Sequence, residues 1–223
     1  MERHDRKMTD SIATHQFLHA GRIVRVNCEP GSRVDESLSQ EKFYEHKMLG
    51  YITRTARSGV FLDIGANCGH HSVYFSLFAP STRVIAFEPF PNHYELILKN
   101  RSENKLDAKI QPFPVGIAAS HGTFETRTNS ALYAARHTVV CSPIDELVYD
   151  PVSLMKIDVE GMELEVLKGA RRVIEQFKPQ IFVEAHTQEH LRELAVFLAS
   201  LGYKEPGNSF NASPTWEFVH LQW

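Results

Sequence analysis

Cysteine is scarce in this chain of 223 residues: Cys28, Cys68 and Cys141 form no CxxC pair and leave an odd count. That argues against both a disulfide framework and a thiolate zinc site, and the simple expectation is a reducing, cytoplasmic setting. Long apolar runs are missing as well. No stretch approaches the ~18 residues of a membrane span, and the opening MERHDRKMTDSIATHQFLHAGR is charged and His-rich without an apolar core, so no signal peptide is expected. Basic excess is absent. A formal net charge of -3 and a pI of about 6.5 disfavour nucleic acid and anionic membranes as partners and favour small molecules. There is no low-complexity tract and no internal repeat.

What is present is a hydrophobic fraction of 43%, distributed as alternating strand-like and helix-like segments, the pattern of one doubly wound α/β domain. Residues 1–22 read as a loose amino-terminal extension and 23–223 as a single domain. GRIVRVNC is a short strand. SQEKFYEHKMLGYITRTA is predicted helical, with Tyr44, Met48, Leu49, Ile52 and Ala56 on one stripe. Val60 to Ile64 and RVIAFEP are core strands, and NHYELILKN places Tyr94, Ile97 and Leu98 on one helical face. AKIQPFPVGIA carries Pro112 and Pro114, which suits an edge strand. The stretch HGTFETRTNSALYAARHTVVCSPIDELV is irregular and long enough to contribute to a substrate site. SLMKIDV and PQIFVEAH are further strands. Gly161 opens a helix periodic in Val166, Leu167, Ala170, Val173, Ile174 and Phe177, another helix carries Leu191, Leu194, Leu198 and Leu201, and the end reads as a β-hairpin.

The chemistry begins at VFLDIGANCGHHSVYFS, a strand, a glycine loop and a helix start. Such a device brings backbone N–H groups and a helix N-terminus against a polar ligand. A dinucleotide fingerprint needs G-x-G-x-x-G, but Asn67 stands at the second glycine and Asp63 adds a carboxylate unsuited to a pyrophosphate. That disfavours an NAD-dependent oxidoreductase. A carboxylate suits an ammonium group, and a sulfonium adds a second positive charge; S-adenosylmethionine has both. Glu88 ends the next strand, where an acid can accept from both ribose hydroxyls. Two glycines alone would also serve an ordinary tight turn.

FLDIGANCGHHSVYFS, VIAFEPFP, SPIDEL, LMKIDVEGMELEVLKGA and PQIFVEAH together resemble the FkbM-type methyltransferases, class I enzymes that use S-adenosylmethionine. The resemblance covers roughly Phe43 to His186. It implies a Rossmann-like seven-stranded mixed sheet of order 3-2-1-4-5-7-6 with helices on both faces, and O-methylation of hydroxyls on sugars or other small natural products. It also implies that Asp63, Gly65, Asn67 and Gly69 form the cofactor loop, that Ser72 begins the helix beside it, that Glu88 holds the ribose and that Glu45 closes over the cofactor. His71 departs from the family, which often has an aromatic there, and the middle insertion matches poorly. No N/D-P-P-[YF] motif follows the fourth strand, so oxygen is favoured over an amino group as acceptor atom. A binding module that keeps the pocket without methyl transfer is the other alternative.

The reacting end is expected at the carboxyl ends of the fourth and fifth strands. Strand alternation puts Asp158 and Glu160 on one side, and Glu184 and His186 on one side. Buried together these acids would repel one another, so a cation is expected among them: Lys156, a substrate ammonium or a divalent metal. If a metal is present, Asp158, Glu184 and His186 are its ligands, and the oxygen-rich set suits Mg²⁺ or Mn²⁺ better than zinc. A hydroxyl acceptor needs a general base, His186 or Asp158, with Glu160 and Glu184 positioning the acceptor. Glu163 is expected to cap the helix after Gly161. His70, His121 and His137 read as surface or loop residues.

Overall fold

The computed structural model describes residues 12–126, 137–204, 206–211 and 213–223. The chain opens with β1 (Ala13–His19) and β2 (Arg22–Cys28), an antiparallel hairpin in unbroken register from Ala13↔Cys28 to His19↔Arg22. Its turn residues, Ala20 and Gly21, both have positive φ (44° and 81°), the conformation that matches the twist of a two-residue hairpin. The expected boundary at residue 22 therefore falls inside a hairpin, and residues 13–22 are ordered strand rather than loose extension; residues 1–11 lie outside the described residues. Phe17, Val24, Val26 and Cys28 turn inward and anchor the hairpin to the domain.

Then follow α1 (Arg33–Leu38), α2 (His46–Thr55), β3 (Gly59–Ile64), α3 (His70–Phe78), β4 (Ser81–Phe87), α4 (Pro91–Glu103), β5 (Ile110–Phe113), β6 (Gly116–Ile117), β7 (Gly122–Thr126) and β8 (His137–Ser142). After these come α5 (Ile144–Leu147), β9 (Val152–Ile157), α6 (Glu163–Gly169), α7 (Arg171–Phe177), β10 (Gln180–Glu184), α8 (Gln188–Ser200), β11 (Ser209–Phe210) and β12 (Thr215–Phe218). The main sheet has seven strands in the order β11-β12-β10-β9-β3-β4-β5. The pairs β3–β4, β3–β9, β4–β5 and β9–β10 are parallel, whereas β12 runs antiparallel to both β10 and β11. Numbered along the chain, that is the order expected, with β5 at one edge and the terminal hairpin closing the other. A smaller sheet, β6-β8-β7, is built largely from the irregular insertion, and residues 127–136 within it lie outside the described residues.

Side-chain parity divides the core in two. Leu62, Ile64, Ile85, Phe87, Met155, Ile157, Ile181 and Val183 face α6, α7 and α8. Phe61, Val84, Ala86, Leu154 and Phe182 face α2, α3, α4 and the amino-terminal hairpin. Asp63 and Lys156 are register partners on this second face, and Glu184 shares the parity of Phe182. Three ionisable residues are thus aligned on one side of the sheet by strand geometry alone.

Several helices differ from their sequence pattern for identifiable reasons. α2 starts only at His46, because Glu45 takes a left-handed conformation (φ 59°), and the segment before it holds the separate helix α1, capped by the Ser32 hydroxyl. The buried stripe of α4 is His93, Leu96, Ile97 and Asn100, with Tyr94 and Leu98 only half-buried, since two polar residues find partners inside. The helix after Gly161 is broken at Ala170. There the Asp145 carboxylate accepts from the N–H groups of Arg172 (2.7 Å) and Val173 (3.0 Å), giving α7 its own cap. The apolar stripe runs through the break unchanged. No helix among the described residues is long and apolar enough to cross a membrane.

Candidate functional site

A cleft opens at the carboxyl ends of β3, β4 and β9, with Gly65, Asn67, Glu88, Asp158 and Glu160 on its polar side. Phe90, Ile117, Val139, Cys141 and Met162 form its apolar wall. Gly65 is required by contact: at φ 78° a Cβ there would lie 1.8 Å from the Asp158 carbonyl oxygen. Only a bare Cα lets the loop after β3 pass the end of β9. Gly69, also left-handed, is the N-cap of α3.

Glu88 lies buried at the end of β4, and its orientation is locked. One oxygen accepts from the Asn67 N–H (2.8 Å) and the other from the Phe90 N–H (3.0 Å), leaving each with a lone pair for a ligand hydroxyl. His93 stands behind it, its ring nitrogens 3.8 Å from Glu88 and 3.7 Å from Glu29. Burial works against an imidazolium there, but the two carboxylates prevail and His93 titrates above its ordinary value. Neither His93 nor the apolar wall carries a sequence motif. Val139 and Cys141 come from the insertion that looked irregular.

Behind Asp158 the site continues as a buried polar cluster. Lys156 is its cation. Burial alone would neutralise the ammonium, yet Asp158 (Nζ to Oδ2, 3.1 Å), Asp63 and Glu45 overcome that and raise its pKa. Asp63 is fully buried; one oxygen accepts from Ser72 Oγ at 2.6 Å, and the other has no hydrogen-bond partner among the described residues. Burial raises its pKa. Glu45 is pushed up to about 7 by burial, and its Oε2 lies 3.3 Å from His71 Nε2. His70 is not a surface residue: it stacks on His71 with ring centroids 3.9 Å apart and is driven down to about 3 by burial and then by Lys156. The signal for this was the run of apolar neighbours on every side of α3, which leaves a helix no solvent face.

At the outer end Glu184 is pushed up to about 9 by burial and by the Asp158 charge, to which it donates a hydrogen bond. Asp158 itself is held below its ordinary value, since Lys156 outweighs its burial. His186 is half-exposed, with Nε2 3.1 Å from Glu184 Oε2. Glu160 is exposed at φ 55°, and the strand ends at Ile157, so its position follows from a turn and not from strand alternation. Glu163 organises that turn: Oε1 accepts from the N–H groups of Val159 (3.2 Å) and Gly161 (3.0 Å). The structure therefore brings together Asp63, Ser72, Lys156, Asp158, Glu184 and His186, with Glu45 beside them.

Asp158, Glu184 and His186 do not make a metal centre. Among the described residues the three-ligand cluster of that kind is His15, Cys28 and Asp35, at the hairpin. The Lys156 ammonium already neutralises Asp158, and the proton on Glu184 removes the second anionic ligand. The residues fit S-adenosylmethionine better. Glu88 offers free lone pairs beside an apolar wall suited to an adenine, and the unpartnered Asp63 oxygen lies in a cluster with more carboxylates than cations, which favours an incoming positive charge.

A model of the FkbM methyltransferase domain matches residues 63–205. The chain belongs to the FkbM methyltransferase family. Among curated relatives it is 30% identical to the hexuronic acid methyltransferase AglP of Haloferax volcanii, over 57% of this chain and 56% of that protein. It is 26% identical to the methyltransferase sdnD of Sordaria araneosa, over 48% of this chain and 59% of that protein. The chain thus spans a little over half the length of the curated relatives it matches. In fold it is similar to the FkbM methyltransferase of Methylobacillus flagellatus, with a TM-score of 0.59 at 22% identity over 75% of this chain and 46% of the other. TrmK of M. capricolum, solved with S-adenosylhomocysteine, shares the fold at a TM-score of 0.50 and 13% identity over 77% of this chain and 66% of that one. In this FkbM chain the matched region begins at Asp63 and ends beyond α8, so it contains the cleft's polar side and the cluster of Lys156, Asp158, Glu184 and His186 but not Glu45 or the amino-terminal hairpin.

Proposed function

We propose that the chain is an S-adenosylmethionine-dependent methyltransferase whose acceptor is a hydroxyl of a sugar or similar small molecule. The observation that carries this is Glu88, fixed by two backbone N–H groups at the end of β4 while a carboxylate-rich cluster with one lysine occupies the ends of β9 and β10. Glu88 would hold the ribose, the wall of Phe90, Ile117, Val139 and Met162 the adenine, and Gly65, Asn67, Asp63 and Glu45 the amino-acid end, with Ser72 fixing Asp63. Bound S-adenosylmethionine supplies an electrophilic methyl on a sulfonium. A sugar acceptor is supported by the relative named a hexuronic acid methyltransferase.

For the chain's own part, His186 is the general base. Asp158 is a poor one, because Lys156 and the Glu184 proton both stabilise its carboxylate. His186 stands outside that clamp, oriented through one ring nitrogen by Glu184, so its other nitrogen takes the acceptor proton as the oxygen–methyl bond forms and the sulfonium–methyl bond breaks. Glu160 and Glu184 position the acceptor. Calorimetric titration with S-adenosylhomocysteine, in parallel with NADH and with and without Mg²⁺, tests the class. Saturable binding of the former alone, indifferent to Mg²⁺, is expected. Binding of NADH, or of neither, would refute it.

A further inference from the structure

We propose that the groove between α1, the start of α2 and the β11–β12 loop is the acceptor subsite, and that Arg33 sets its specificity by receiving a carboxylate on the acceptor sugar. This rests on the function proposed above. The groove has a volume of about 540 Å³, within the range of small-molecule sites. Its lining includes the cations Arg33 and Lys47, the carboxylates Glu36 and Glu45, and the polar Tyr44 and Asn211. Two of these lead directly to the reacting cluster. Glu45 belongs to both, since it lines the groove while its Oε2 lies 3.3 Å from the buried His71 Nε2. Tyr44 is half-buried, its ring centroid 6.0 Å from that of the buried His70.

Arg33 is exposed, and what it touches is neutral. It donates to Ser213 Oγ (3.2 Å), a residue from the far end of the chain, and lies along the groove with Tyr44. Among the described residues no carboxylate lies within ion-pair distance of it. Arg83, Arg101 and Arg171 have such partners in Asp150, Asp107 and Glu175, whereas Arg25, like Arg33, meets a neutral side chain, Gln16. Glu184 and Glu160 act on Arg33 only through their field. A neutral sugar would need no guanidinium at this point. An anionic one would be repelled by Glu160 and Asp158 unless a cation anchored its charged end, and the planar fork of arginine matches a carboxylate with two parallel hydrogen bonds. Lys47 adds a second positive charge along the groove.

The test uses the full chain saturated with S-adenosylhomocysteine and titrated by NMR with methyl glucuronide and, separately, with methyl glucoside. The glucuronide is expected to bind at least tenfold more tightly. Arg33→Gln should remove that preference while leaving S-adenosylhomocysteine affinity within twofold, and Arg33→Lys should restore part of it. Equal binding of the two sugars, no saturable binding of the glucuronide, or a preference that survives Arg33→Gln would overturn the subsite. Failure to bind S-adenosylhomocysteine at the outset would instead overturn the cofactor function on which it rests.

Discussion

Glu88 and His186 separate binding from turnover. Glu88→Ala removes the carboxylate proposed to accept from the ribose hydroxyls and leaves two loop N–H groups unpaired, so S-adenosylhomocysteine affinity should fall at least tenfold, ~1.4 kcal/mol or more. His186→Ala should leave that affinity unchanged and lower kcat by about 10²- to 10⁴-fold. Calorimetry and a methyl-transfer assay on both variants check the pair; a binding defect in His186→Ala would remove it from its role as base. Glu45 gives the site a pH dependence of definite sign. Its carboxyl rises from an ordinary 4.5 to about 7 on folding, so the folded cofactor-free protein holds this proton more tightly than the unfolded chain. That contribution is whole below the ordinary value and is lost as pH rises through about 7. Glu45→Gln is therefore expected to stabilise the cofactor-free protein at pH 8 by about 1–3 kcal/mol and to be neutral at pH 4. A cationic ligand reverses the sense: wild-type affinity for S-adenosylmethionine, which carries a sulfonium beside its zwitterionic end, should increase from pH 6 to pH 8, and in Glu45→Gln that increase should be lost. Lys156→Met leaves the buried Asp63 and the partly exposed Asp158 without their cation, an expected loss of about 3–5 kcal/mol near neutrality that shrinks in acid as the carboxyls protonate. Urea unfolding at two pH values measures it.

The strand-to-loop junctions carry the site, and their sequence requirements are local. At Gly65 an alanine would meet the Asp158 carbonyl at 1.8 Å, so Gly65→Ala should force β3 and β9 apart at the cleft. Loss of cofactor binding and at least ~2 kcal/mol of stability are expected, read by thermal melts with and without S-adenosylhomocysteine. This glycine could be picked out from GANCG, because a loop that tight after a strand requires left-handed backbone. The break between α6 and α7 could not. Its cause is Asp145, 27 residues before the Arg172 N–H it caps, and periodicity within one helix is blind to a side chain arriving from another. The same holds for α4, where His93 and Asn100 sit inside although their polarity predicts a solvent face.

Asn100 connects three parts of the molecule. Fully buried, it accepts from the Asn27 N–H (2.7 Å) and the Asn27 side-chain amide (2.9 Å), and it donates to the carbonyls of Asn27 and Cys68 (both 2.8 Å). The amino-terminal hairpin, α4 and the cofactor loop are thereby tied through one side chain. Asn100→Ala would leave several buried groups unpaired, at a cost of about 2–4 kcal/mol, and should weaken S-adenosylhomocysteine binding although residue 100 does not line the cleft. Hydrogen exchange should show faster exchange in β2 and in the Cys68–Gly69 loop; protection unchanged in both would mean that the hairpin is held by its apolar contacts alone.

The individual strands, the glycine loop after β3 and the acid at the end of β4 were legible in the linear chain because each depends on short-range regularities: alternation along strands, glycine where backbone must turn, and a carboxylate at a strand end; the order of the strands came from the family resemblance and not from these. The partners of those residues were not legible. Lys156 was one of three candidate cations until the β3–β9 register set it opposite Asp63, and His70 read as a loop residue until α3 proved buried on every side. Arg33 and Ser213, 180 positions apart, meet only because the first helix and the last hairpin close on the same edge of the site. Spacing along a chain governs which face a side chain takes, whereas charge states depend on what else is buried within a few ångströms, and that is settled by packing between distant segments.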